Sequence, residues 1–344
     1  MLLTFDYHFP FQLECGVRLP GFHLGYTTLG KMNATKSNMV WVFHALTANS
    51  DPSEWWEGLV GEGKYFNPEK HFIICVNMPG SCYGSLNPID KNPQTGVAYF
   101  HDFPFFTIRD MIRTYQCLKD FLGIEKIWLG LGGSMGGQQL LEWAVLEPTL
   151  FENIIPIATN AAHSPWGIAF NASQRLSIEA DATWKDSASD AGLNGMKVAR
   201  SVALLSYRNY GTYHQNQLES VSEKIGNFKS ESYQRYQGEK LAKRFNAFSY
   251  YFLSKSMDSH NVGRQRVSAE NALAEIKAKT LIIGIDTDLL FPPSEQRFLA
   301  AHISGSMLSI IHSIFGHDGF LLEYKKIENA IDGFLASQKT LTPA

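Results

Sequence analysis

The 344-residue sequence contains few cysteines, and their spacing excludes the usual cysteine-based scaffolds. No two of them form a C-x-x-C pair, and none joins a Cys/His cluster with the spacing of a zinc site. The four residues are Cys15, Cys75, Cys82 and Cys117. We therefore expect reduced thiols, no metal and a cytoplasmic protein.

Long apolar runs are also missing. No stretch is long and apolar enough to span a bilayer. The first residues, Met1 to Asp6, have neither the basic region nor the apolar region of a signal peptide. The sequence therefore predicts no membrane-spanning segment and no signal peptide.

Neither sign of charge is in large excess, because 30 lysines and arginines face 33 aspartates and glutamates, for a net charge of −3. This balance lacks the electrostatic footprint of a protein that binds nucleic acid or an anionic membrane. Hydrophobic residues make up 44% of the chain, which excludes disorder because that much apolar surface can offset the conformational entropy of the chain.

Short, unbroken apolar runs recur along the chain and predict strands that are buried on both faces, hence a parallel sheet. Helical periodicity between these runs, over residues 108–122 and 138–146, indicates an α/β fold with right-handed crossovers. The glycine-punctuated first thirty residues predict an antiparallel meander at the sheet edge. The apolar runs are 39–43, 72–76, 127–129, 154–158, 280–285 and 307–311.

Residues 161–266 interrupt the strand pattern. This segment is rich in polar and aromatic residues, and the spacing predicts helices over residues 195–207 and 233–253. We therefore predict a core built from residues 1–160 and 267–344, with 161–266 inserted as a helical cap (lid) domain.

The strongest local signal is the run Gly132-Gly133-Ser134-Met135-Gly136-Gly137, which contains G-x-S-x-G between a predicted strand and a predicted helix. That context is typical of the nucleophile elbow, which makes Ser134 the candidate nucleophile. An ordinary glycine-rich turn is the simpler alternative. A Rossmann phosphate loop is disfavoured, because Met135 stands where that motif needs its third glycine.

A serine nucleophile needs a histidine base and an acid that orients the base. Asp288 follows the strand predicted at 280–285, and His317 follows the strand predicted at 307–311. The order Ser, Asp, His and the positions at strand ends predict a Ser134–Asp288–His317 triad. Asp286 remains a rival acid. Alternatively, the aspartate is a turn residue and the histidine lies on the surface.

Acyl transfer also needs an oxyanion hole. One donor is expected to be the backbone N–H of Met135, the residue after the nucleophile. The other should come from the loop after an early core strand, and the backbone N–H of Leu46 is the candidate. A plain polar loop is the alternative.

Several spaced motifs resemble those of homoserine O-acetyltransferases, which are α/β-hydrolase-fold acyltransferases of methionine biosynthesis. The resemblance spans most of the chain, in the same order. It departs from the family at Ala48, where the family often has glycine. The matching segments are residues 44–47, 80–84, 133–138, 199–208, 288–292 and 317–320.

The resemblance implies a ping-pong reaction with no resident cofactor and with acetyl-CoA as co-substrate. Ser134 would take the acetyl group, His317 would act as general base and then general acid, and Asp288 would orient His317. The N–H groups of Leu46 and Met135 would hold the oxyanion. L-Homoserine would then accept the acetyl group, giving O-acetyl-L-homoserine and CoA.

The resemblance also assigns the acceptor site and an assembly. Arg200 can bind a carboxylate through two hydrogen bonds, with Tyr207 two turns later on the same face, and Asp318 can pair with an ammonium group. In this family the cap helices form a homodimer interface, and the aromatic-rich cap of this chain fits that role.

Close alternatives keep the chemistry and change a substrate. Succinyl-CoA would need a further cationic contact, and serine differs from homoserine by one methylene, which is worth only about 1–3 kcal/mol of discrimination. An esterase would need neither Arg200 nor Asp318. A non-catalytic receptor or binding module on the same fold is disfavoured, because all three triad residues are present.

Overall fold

An eight-stranded sheet lies at the centre of the molecule in the computed structural model, which describes residues 1–340. Its strand order is β1-β4-β6-β5-β7-β8-β9-β10, and β2 and β3 form a separate small hairpin. The strands are β1 (Leu2–Tyr7), β2 (Phe11–Gln12), β3 (Arg18–Leu19), β4 (Phe22–Leu29), β5 (Met39–Phe43), β6 (Phe72–Val76), β7 (Ile127–Gly133), β8 (Phe151–Ile157), β9 (Lys279–Ile285) and β10 (Met307–Ile311).

Strands β6 to β10 run parallel to β5, whereas β1 and β4 pair antiparallel at one edge. The prediction of a mostly parallel α/β sheet is therefore confirmed. Both faces of the sheet are covered: Trp41 and Phe43 pack with Trp143 on one face, and Val40 and Val42 pack into a second apolar cluster on the other. Continuous apolar runs are thus the expected sequence of these strands.

Helices connect and cover the strands. None of the described helices is long and apolar enough to cross a membrane. Single 3₁₀ turns span Phe100–Asp102 and Gly316–Asp318. The α-helices are α1 (Pro52–Trp55), α2 (Ile108–Phe121), α3 (Met135–Leu146), α4 (Pro165–Glu179), α5 (Leu193–Tyr207), α6 (Tyr210–Gln217), α7 (Lys229–Ala242), α8 (Ala247–Asp258), α9 (Ala269–Ala274), α10 (Pro293–His302), α11 (Gly319–Leu322) and α12 (Tyr324–Thr340).

Helices α4 to α8 all lie in the chain between β8 and β9. The prediction of one helix over residues 233–253 is wrong, because two helices, α7 and α8, share this stretch. The break lies at Asn246, whose extended backbone leaves the helical path and whose side chain accepts a hydrogen bond from the Ser249 N–H at 2.8 Å. This side chain caps α8, which is the usual role of asparagine at a helix start.

Candidate active site

Ser134 lies at the junction between β7 and α3, with φ 57° and ψ −127°. This positive φ is unfavourable for a residue with a Cβ, so the surrounding structure must hold it. The Ser134 N–H donates to the Ile157 carbonyl at 3.0 Å, and its own carbonyl accepts from Gly137 N–H and the Thr159 hydroxyl, both at 2.9 Å. The strained turn places the serine at the N-terminus of α3.

Close backbone contacts explain the glycines around Ser134. A Cβ on Gly132 would lie 2.4 Å from the Gly136 carbonyl oxygen, and a Cβ on Gly136 would lie 2.1 Å from the Phe43 carbonyl oxygen. Only glycine fits at these two positions, because backbone atoms cannot move aside as a flexible side chain can. The first turn of α3 therefore packs directly against the end of β5.

Asp288 and His317 form a buried pair, and each residue is only 3% exposed. The His317 Nδ1 lies 2.6 Å from one Asp288 carboxylate oxygen. The other oxygen accepts the backbone N–H groups of Leu290 and Phe291, at 2.8 and 2.9 Å. With both oxygens occupied, the carboxylate is fixed in the orientation that directs Nε2 of the imidazole away from Asp288.

Asp286, the rival acid, lies elsewhere. One of its oxygens is 2.6 Å from Nδ1 of the exposed His312, and the other accepts the Ser313 N–H at 2.9 Å. These hydrogen bonds lower the pKa of Asp286 although its partial burial opposes this. The structure therefore places Asp288, and not Asp286, beside His317.

One cavity of about 560 Å³ brings most of the predicted site residues together. Met135, the other predicted oxyanion donor, directly follows Ser134 and has a fully buried side chain. The predicted residues that line the cavity are Leu46, Ser134, Arg200, Tyr207, His317 and Asp318.

His44, which sequence reasoning gave no role, fixes the loop that carries Leu46. Its Nδ1 lies 2.9 Å from the Ala45 carbonyl oxygen, and its Nε2 accepts the Met78 N–H at 3.0 Å. These partners make Nδ1 the protonated nitrogen. Because the C=O and N–H of a trans peptide point in opposite directions, holding the Ala45 carbonyl turns the Leu46 N–H away from His44. The sequence signal that could have pointed to His44 is the His-Ala-Leu-Thr motif.

Arg200 lies with its guanidinium carbon 5.5 Å from the centre of the Tyr207 ring, and that ring lies 5.7 Å from the His317 ring. Within the described chain, no carboxylate forms an ion pair with Arg200. Its charge is therefore available to an anionic group in the cavity, next to the imidazole.

Asp318 forms an ion pair with Arg208, a residue that sequence reasoning did not single out. Burial raises the pKa of Asp318, and the charges of Arg208 and Arg200 oppose that rise. Arg208 thus helps to keep the Asp318 carboxylate ionised. An ammonium group of a ligand would share Asp318 with Arg208. The available signal was that Arg208 directly follows Tyr207, inside one of the family-like segments.

The site holds a strained serine, a buried His–Asp pair and a cation, which together suit acyl transfer through a serine ester. Over residues 1–340, no group of three or more His, Cys, Asp or Glu residues is placed to hold a metal ion.

The comparisons with known proteins agree with this chemistry. Residues 38–324 match the family model described as alpha/beta hydrolase fold. A homoserine O-acetyltransferase from Cyclobacterium marinum is 49% identical over 323 residues, which cover 94% of this chain and 92% of that protein.

Solved structures extend the fold comparison. The homoserine O-acetyltransferase of Bacillus anthracis matches with a TM-score of 0.88 and 24% identity, over 97% of each chain. Esterase E22 matches with a TM-score of 0.85 and 24% identity, over 97% of this chain and 99% of the esterase. Since a transferase and an esterase match equally well, the likeness shows the fold and does not separate the two activities.

The close contact at Gly136 predicts that alanine is not tolerated there, although it is tolerated at a glycine with open space around it. Gly136→Ala is expected to destabilise the protein by about 3 kcal/mol and to abolish activity, because the new Cβ meets backbone. The control is Gly333→Ala in α12, where a Cβ would meet nothing within 4 Å. It should stabilise the protein by about 0.5–1 kcal/mol. Urea unfolding checks both; a stable, active Gly136→Ala enzyme would contradict the packing argument.

Three buried histidines predict a loss of stability in acid. Burial lowers the pKa of His44 and His163 to about 4 and of His260 to about 3. Their pKa in the unfolded chain is about 6.5, so the unfolded state binds more protons below that pH. The contribution of these histidines to the free energy of unfolding should therefore be full above pH 6.5 and should be lost as the pH drops toward 4. Near pH 5 the slope should be about 3–4 kcal/mol per pH unit.

Urea unfolding between pH 5 and pH 7.5 measures this slope. His163→Gln should lower the slope by about one third, because it removes one of the three histidines that bind a proton on unfolding. His8→Gln, at an exposed position, serves as the matched control and should leave it unchanged. A slope of zero in the wild type would show that these histidines are not buried in the neutral form.

Proposed function

We propose that this protein transfers the acetyl group of acetyl-CoA to the hydroxyl of L-homoserine. The reason is that the chain belongs to the homoserine O-acetyltransferase family of α/β-hydrolase-fold acyltransferases. The observation that carries the choice of an amino acid as acceptor is the position of Arg200. This cation forms no ion pair with a carboxylate in the described chain, and it lines the same cavity as Ser134 and His317. A lipophilic ester would need no such group.

The first half-reaction forms an acetyl-enzyme. His317 Nε2 takes the proton of the Ser134 hydroxyl as the oxygen attacks the thioester carbonyl. The N–H groups of Leu46 and Met135 stabilise the oxyanion of the tetrahedral intermediate. When the C–S bond breaks, His317 returns the proton to the sulfur, and CoA leaves. Asp288 holds the imidazole in the required tautomer throughout.

The second half-reaction repeats these steps with homoserine. Its hydroxyl loses a proton to His317 and attacks the acetyl-Ser134 carbonyl. Collapse of the intermediate breaks the bond to the serine oxygen, which recovers its proton from His317. The products are O-acetyl-L-homoserine and free enzyme, so the route is ping-pong and needs no resident cofactor. We place the reaction in methionine biosynthesis, in the cytoplasm.

The acceptor is held at both charged ends. Arg200 binds the homoserine carboxylate through its planar fork, and Asp318 binds the ammonium group. Arg208 would keep Asp318 ionised when no acceptor is bound. The proximity of the Tyr207 and His317 rings places this zwitterion site next to the base.

A CoA-release assay tests the reaction. With a thiol reagent as detector, fast release is expected only for acetyl-CoA with homoserine. Succinyl-CoA, serine and the mixture without acceptor serve as the comparison arms. Ser134→Ala, checked for folding by circular dichroism, should lose at least about a thousandfold in rate because the nucleophile is gone. Equal release without acceptor would make the protein a hydrolase and overturn the roles of Arg200 and Asp318.

We further propose a homodimer through the cap helices. Leu176, Val198, Leu205 and Tyr236 are all more than half exposed (52–62%) and lie on α4, α5 and α7, which pack side by side; an apolar surface shared by neighbouring helices suits an interface.

Sedimentation at micromolar concentration should therefore give twice the 38.6 kDa chain mass. Val198→Asp should shift the protein toward monomer, because it places a charge in the apolar interface. Val97→Asp, at an exposed apolar residue outside the cap, is the matched control. A monomeric wild type would overturn the dimer.

A further inference from the structure

The mouth of the active-site cavity carries more positive charge than the acceptor requires. Lys240 and Arg244 line this cavity together with Arg200. An adjoining cavity of about 260 Å³ is lined by the same three cations and by Arg208. The carboxylates that line the two cavities are Glu54 and Asp318. Four cations and two carboxylates therefore line these two neighbouring cavities.

Lys240 and Arg244 are the cations without a role so far. Neither forms an ion pair with a carboxylate in the part of the chain that the structure describes. Arg208 is paired with Asp318, and Arg200 lies over the Tyr207 ring near the base. The exposed charges at the mouth are thus Lys240, Arg244 and Glu54, which leaves one positive charge in excess.

These two residues lie close together in the chain, where both can reach one anionic ligand. Lys240 lies in the last turn of α7, and Arg244 follows four residues later, just beyond its end. A phosphate suits both, because lysine offers a point charge and arginine a planar fork.

Arg244 is also held in place. One of its guanidinium nitrogens donates to the Thr47 carbonyl at 2.5 Å and to the Tyr83 hydroxyl at 2.6 Å. Thr47 follows Leu46 in the proposed oxyanion loop, so these hydrogen bonds join the end of α7 to that loop. A guanidinium fixed in this way loses little conformational freedom when it binds a ligand.

We propose that Lys240 and Arg244 bind the phosphate groups of the CoA donor at the cavity mouth, with the thioester directed inward to Ser134. This inference rests on the proposed function, since it takes acetyl-CoA as the donor. It divides the cations by depth: Arg200, beside the base, binds the acceptor carboxylate, and the two exposed cations bind the donor. Phosphates can stay partly hydrated at the mouth, whereas the thioester must reach the buried serine.

Steady-state kinetics with two donors tests the assignment. S-Acetylpantetheine carries the same thioester and arm as acetyl-CoA but lacks the nucleotide phosphates. Lys240→Gln should raise KM for acetyl-CoA about tenfold, the value of one charged hydrogen bond. It should leave the KM for acetylpantetheine and for homoserine unchanged. Arg244→Lys, which keeps the charge but loses the fork, should raise the acetyl-CoA KM less.

Lys243→Gln is the matched control, because Lys243 is an exposed cation at the same helix end but lines neither cavity. An equal rise in KM for both lysine variants would show general electrostatic attraction and overturn the subsite. An unchanged KM for acetyl-CoA in Lys240→Gln would also overturn the subsite. So would a KM for acetylpantetheine that rises as much as the KM for acetyl-CoA.

Equilibrium binding of CoA by calorimetry separates this inference from the proposed function. Binding that weakens about tenfold in Lys240→Gln supports the subsite whether or not homoserine is acetylated. Such binding in a wild type that acetylates no homoserine would keep the subsite and overturn the proposed function. A wild type that binds no CoA would overturn the subsite.

Discussion

The contact between the first turn of α3 and the end of β5 sets the geometry on which the rest of the site depends. Gly136 lies so close to the Phe43 carbonyl that no side chain fits between them. Ser134 is at one side of this contact, and the loop that carries Leu46 leaves from the other. Buried Gln139 reinforces it by donating to the carbonyls of His44 and Met135, both at 3.2 Å. The proposed nucleophile and both proposed oxyanion donors are thereby held by one backbone contact.

Charge is distributed by depth around this point. At the bottom, the His317–Asp288 pair is buried, and both oxygens of the Asp288 carboxylate are hydrogen bonded. Above it, Arg200 and Asp318 are partly buried, and each has an aromatic or ionic neighbour that limits its movement. Exposed cations lie at the mouth. The proposed placement of the two substrates follows this gradient. In the proposed ping-pong route both substrates react at Ser134 in turn, while their charged groups bind at different depths.

The sequence determined those features that depend on residue type in a short window. Buried parallel strands need continuous apolar runs, and the elbow needs glycine on both sides of Ser134. The sequence predicted Asp288 as the triad acid but could not exclude Asp286, since both follow β9 and only the positions of His312 and His317 decide their partners. The ion pair of Asp318 with Arg208 likewise joins segments far apart in the chain. The break at Asn246 was missed because one capping hydrogen bond outweighed a long helical pattern.

The order of the strands in the chain has a consequence during synthesis. Strand β8 pairs with β9, as in the register Ile154 with Thr280, yet helices α4 to α9 are made before β9 exists. Until residue 279 leaves the ribosome, β8 has an unpaired edge, and its residues 154–157 are all apolar; nascent chains aggregate on such surfaces. The incomplete chain also lacks the buried pair of the site, because Asp288 and His317 are translated long after Ser134.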